Sequence, residues 1–102
     1  MLARLVVRCA AAGETEGIAF EVRRMRNLWG SCNARKRRIR FNLVLARVPI
    51  HCIEYVVMHE IVHLSVPNHS VLFERKMDQR MPRWREVRKE LNDFIALPLG
   101  EE

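Results

Sequence analysis

Residues 50–70 read IHCIEYVVMHEIVHLSVPNHS. From Ile50 to Ser65 the stretch has no proline or glycine and is apolar on nearly every side. That pattern predicts a helix buried all round. Pro49 fits its first turn, where a missing N–H costs nothing, and Pro67 ends it. His59 and His63 stand four residues apart, so a helix separates them by only about 40° and one turn. Both rings then leave the same face. Glu60 is turned about 100° from His59. Buried imidazoles are costly unless paired, so this pair calls for a reason. Two such nitrogens can reach one metal ion at about 2 Å each. A carboxylate beside them can take a proton from a water that the metal has acidified. This is the HExxH logic of zinc hydrolases, and a long helix is the context it needs.

A metal of this kind needs a third protein ligand. His69 is the expected one, because the chain must leave the helix at Pro67 and can turn back. The spacing HExxHxxxxxH is that of metzincins, with Val66 where those enzymes carry the turn glycine. The turn is therefore expected to rest on Pro67 and Asn68. Glu74 is the rival, as a carboxylate on the following helix in the manner of gluzincins. His51 reads as a surface or capping histidine at the helix start.

Working outward, the 102-residue chain is 49% hydrophobic, which suits one compact domain over residues 1–102. No apolar run reaches the roughly 18 residues needed to span a membrane, and no targeting segment is read at the start. Residues 10–17, AAAGETEG, read as a linker. Residues 18–25, IAFEVRRM, alternate as a strand with Ile18, Phe20 and Val22 on one face. WGSCNARKRR is predicted as the turn-rich connection of a hairpin. RIRFNLVLA returns as the second strand, with Ile39, Phe41 and Leu43 on one face. Trp29 reads as a core anchor, Gly30 and Ser31 as a tight turn, and Cys32 as a small buried residue. After the histidine helix, Asn68 is the predicted N-cap of a helix over about 69–80. Val71, Leu72, Met77 and Met81 are its inward positions. Residues 83–96 form a last helix with Trp84, Val87, Leu91, Phe94 and Ile95 as its apolar stripe. The fold class is α+β: a small N-terminal sheet or hairpin, the HExxH helix, then two further helices.

These landmarks together resemble the YgjP-like metallopeptidase domain family. They are WGSC (Trp29–Cys32), IRFNLVL (Ile39–Leu45), Pro49, EYVVMHEIVHL (Glu54–Leu64), NHSVLF (Asn68–Phe73) and Met81–Pro82. The resemblance is strongest over residues 20–97. It implies a minimal zincin-like fold related to SprT-like domains. It also implies a Zn2+ ion on His59, His63 and His69, with Glu60 as general base. Family members commonly carry more β-structure before WGSC, and Glu74 stands where a tryptophan usually follows NHSxxF.

The net charge is +6, and residues 21–47 hold nine basic side chains against Glu21 alone. A patch over Arg23–Arg40 attracts phosphates, nucleic acid or acidic peptides. The leading expectation is a zinc metallopeptidase acting on peptides. One alternative is a metal-dependent nucleoside triphosphate phosphohydrolase or pyrophosphatase with arginine-clamped phosphates. Another is a nucleic-acid-associated module of SprT-like type. Cys9, Cys32 and Cys52 show no paired spacing and point to reduced thiols, hence a cytoplasmic protein; a monomer is the separate expectation for its assembly.

Overall fold

The computed structural model describes residues 2–10, 13–95 and 100–101. Its elements are α1 (Leu2–Cys9), β1 (Ala19–Arg23), β2 (Gly30–Asn33), β3 (Arg38–Asn42), a short 3-10 helix (Leu43–Arg47), α2 (Ile50–His63), α3 (Val71–Arg80), α4 (Trp84–Phe94) and β4 (Gly100–Glu101). The α+β class holds. A helix precedes the strands, however, where none was expected. The apolar positions 2, 5, 6 and 9 carry the helical period, and Leu5 and Val6 are buried in α1.

The sheet order is β1-β3-β2-β4. The expected hairpin between residues 18–25 and 38–46 does not form. Those segments pair in parallel, Ala19 opposite Arg38 and Arg23 opposite Asn42. The GSC of the WGSC motif is itself part of a strand, β2, antiparallel to β3, with Gly30 opposite Phe41. The tight turn lies later, over residues 34–37. Lys36 N donates to Asn33 Oδ1 at 3.0 Å, and Arg37 adopts a left-handed φ of 54°. β1 is an edge strand, and Phe20 and Val22 are exposed rather than inward.

β3 stops at Asn42, so residues 43–47 are helical and not extended. Asn42 is the cause. Its buried side chain accepts from Val44 N at 3.0 Å and donates to Met25 O and Leu28 O at 2.8 Å each. One amide thus caps the 3-10 turn and anchors the loop before β2.

α2 is the axis of the core. Eleven of its 14 residues are buried, and it packs against α1, α3, α4 and β2. Trp29, Ile39 and Phe41 fill the space beneath it, none more than 1% exposed. α3 begins later than expected, with Ser70 and not Asn68 as its cap: Ser70 Oγ accepts from Phe73 N at 3.4 Å. Its inward side chains are Phe73 and Met77, while Val71 and Leu72 are exposed. In α4, Trp84 and Leu91 are buried and Val87 packs against the core, but Phe94 and Ile95 face outward. Arg80 ties α3 back to the chain start through two bonds to Glu14, at 2.6 and 2.7 Å, and one to Cys9 O at 3.0 Å.

Among the described residues no helix is long and apolar enough to cross a membrane.

Candidate metal centre

His59 and His63 project from the buried face of α2, and His69 comes from the loop that follows it. The turn after α2 needs no glycine. Arg37 is the one non-glycine residue with positive φ among the described residues, so residues 64–69 turn with ordinary backbone angles. Val66 suits that path, because its side chain is buried and its N–H bonds Val62 O at 3.0 Å. Its carbonyl lies 2.9 Å from His63 Nδ1. A carbonyl only accepts, so Nδ1 carries the proton and the lone pair of His63 sits on Nε2.

The three Nε2 atoms of His59, His63 and His69 form an equilateral triangle with sides of 3.0 Å. Hydrogen bonds cannot satisfy such a triangle. Each nitrogen is either a donor or an acceptor, so at least one pair must oppose two like groups. A shared cation resolves the conflict. Nitrogens that each lie about 2.0–2.1 Å from one ion are separated by about 2.9–3.4 Å. The donor set therefore fits a metal ion, and these three residues form one of the groups able to hold it. Burial first, then the charges of His63, His69 and Arg88, push His59 down to about 2. The ring is thus held neutral, the form that ligates. Phe73 packs on all three rings, with centroids at 4.8, 4.5 and 5.1 Å, and holds their orientations.

Glu60 is fully buried on the next position of α2. The backbone of β2 passes close to it: a β-carbon on Gly30 would stand 3.2 Å from Glu60 Oε2. Glu74 lies apart from the triangle and pairs with Arg85 at 3.2 Å. His51 is exposed, as expected of a surface histidine, and pairs with Glu90 at 2.6 Å.

The centre opens into a cleft of about 620 Å³ lined by His59 and His69, within the size range of ligand sites. Trp29, Tyr55 and Trp84 supply its aromatic walls, the last two stacked with planes 2° apart. α4 contributes Arg85, Arg88 and Asn92 to the same wall. Sequence reasoning missed these, although their spacing of three and four residues marks one polar face of α4. None of the residues Arg23–Arg40 except Trp29 lines this cleft. Arg40 and Arg23 instead lie 3.2 and 3.7 Å from Glu21.

A family model described as the YgjP-like metallopeptidase domain matches residues 1–94. The chain belongs to the YgjP-like metallopeptidase family. Membership places it among the metallopeptidase-type hydrolases, whose work needs a metal ion. The fold agrees with that of two solved metallopeptidase zymogens. Abylysin of Pyrococcus abyssi superposes with a TM-score of 0.85 at 15% identity, covering 98% of this chain and 100% of that one. Jannalysin of Methanocaldococcus jannaschii gives 0.78 at 17% identity, covering 93% and 97%. No curated protein matches the sequence. A YgjP-like domain of this size thus has the fold of a solved metallopeptidase zymogen of matching length.

Proposed function

We propose that this YgjP-like protein is a zinc peptidase in which His59, His63 and His69 hold the ion and Glu60 is the general base. The observation that carries the reading is the 3.0 Å triangle of ring nitrogens, which fits a shared ion better than any hydrogen-bond scheme. An all-imidazole set suits zinc. Three protein ligands leave a position open, the mark of a catalytic and not a structural site.

Zinc, when bound, lowers the pKa of a coordinated water and polarises a carbonyl. The chain's own residues do the rest. Glu60 takes the water's proton as the oxygen attacks the peptide carbonyl, and returns it to the leaving amine. The packing of β2 against Glu60 holds that carboxylate in place. The Val66 carbonyl fixes His63 in its ligating tautomer. The aromatic walls receive the peptide. The buried thiols of Cys32 and Cys52 suit a reducing, cytoplasmic setting.

Glu60→Gln tests this. The variant should keep its zinc, measured by elemental mass spectrometry, and lose peptide hydrolysis by about 10²–10⁴-fold. Hydrolysis at the wild-type rate would end the general-base assignment.

A further inference from the structure

Two arginines reach the cleft from α4, and they differ in one respect. Arg85 is engaged, 2.7 Å from Asp78 and 3.2 Å from Glu74. Arg88 has no carboxylate partner among the described residues. Its guanidinium rests over the Trp84 ring, 5.2 Å from the centroid, and is otherwise exposed. Trp84 is pinned from below, since its Nε1 donates to Asp78 at 2.8 Å and its ring stacks on Tyr55. Arg88 is thus an uncompensated cation on a rigid aromatic base, in the same cleft as His59 and His69. A planar guanidinium left unpaired over an aromatic ring is suited to bind a carboxylate in two-point fashion.

We propose that Arg88 reads a carboxylate on the substrate, so that this protein prefers peptides with an acidic group close to the bond that is cut. The inference rests on the peptidase reading and adds a substrate class to it. The cleft volume admits only a few residues, and an extended residue spans about 3.3–3.6 Å. The carboxylate therefore belongs either to the peptide C-terminus or to an Asp or Glu side chain within a few residues of the scissile bond. Arg88 is a specificity residue here. It takes no part in proton transfer.

Trp29 and Trp84 are the two tryptophans of the chain and both line the cleft, so intrinsic fluorescence reports occupancy. The zinc-loaded Glu60→Gln protein would be titrated with acetyl-tetraalanine as free acid and as amide. A second pair of amidated peptides would carry Asp or Asn at the third position. Binding of at least one acid form about tenfold tighter than its neutral twin is expected. The arm that shows the preference identifies the source of the carboxylate. Arg88→Ala should bind each pair equally, and Arg88→Lys should restore part of the preference. Arg88 is exposed, so both variants should melt like the parent. A preference that survives in Arg88→Ala, or no preference in the parent, overturns the inference. Wild-type cleavage of all four peptides without an acid preference defeats the Arg88 role alone. Neither binding nor cleavage of any of them defeats the peptidase reading as well.

Discussion

Gly30 of β2 faces Glu60 of α2 so closely that any β-carbon at residue 30 would be tight against the carboxylate. A β-carbon at residue 30 would stand 3.2 Å from Glu60 Oε2, 3.0 Å from the Arg40 carbonyl and 3.4 Å from Val56 Cγ1. The carbonyl belongs to the sheet and cannot yield. Gly30→Ala should therefore displace the carboxylate and lower stability by about 1–3 kcal/mol, the range for overpacking. Peptide hydrolysis should fall while zinc content stays at the wild-type level. Full activity at unchanged stability would show that the strand does not position Glu60.

His69 and Glu74 compete for the role of third ligand, and elemental mass spectrometry after dialysis separates them. His69→Ala should lose the metal that wild type retains. Glu74→Gln should keep it, because Glu74 is held by Arg85 away from the ring nitrogens. Loss of metal in Glu74→Gln alone would reverse the assignment. The apo protein should also melt below the metal-loaded one, by an amount that grows with free zinc.

Asn42 serves three backbone groups with one buried side chain. Asn42→Ala leaves those groups without their partner, and losses of about 2–4 kcal/mol in urea unfolding are expected. Asn42→Asp keeps the acceptor for Val44 N but removes both donors, so it should be no better than alanine. A loss under about 0.5 kcal/mol would mean that water replaces the amide.

Burial, and then the charge of Glu90, push the Cys52 thiol up to about 11 from its ordinary 9.0. Cys52 should resist alkylation at pH 8 in a peptide-mapped mass-spectrometric assay, when the unfolded chain reacts readily. The sign for stability follows. Between pH 9 and 11 the unfolded chain gives up this proton before the folded one does, so this thiol lowers stability as pH rises through that window. Below pH 9 it has no effect. Rapid labelling of Cys52 in the native protein at pH 8 would contradict both statements.

Local patterns carried much of this protein. Pro49 and Pro67 bound an apolar run, and α2 occupies that run because both limits are covalent properties of proline. The four-residue spacing of His59 and His63 follows from helix pitch alone. The existence of α3 and α4 was likewise readable from their apolar positions. Which of those positions turn inward was less so: Leu72 and Phe94 are apolar but about half exposed. The helical period at residues 2–9 was present as well, but short, and only packing against α2 gives it a place.

Pairing between distant segments was not readable. β1 and β3 look like the arms of a hairpin because they alternate and are separated by a turn-rich stretch. The chain instead places Gly30–Asn33 as a strand of its own and brings β1 alongside β3 in parallel. Strand order depends on which surfaces meet α2, and alternation within one strand does not record that. The same holds at the metal centre. HExxH marks two rings and a carboxylate in any chain. The meeting of His69 with them at 3.0 Å depends on a turn made without glycine and on Phe73 packed beneath the rings. Arg88 reaches the cleft only because α4 docks on α2. Spacing along the chain determined the chemistry available to this protein; close packing of elements far apart in sequence decided where that chemistry is aimed.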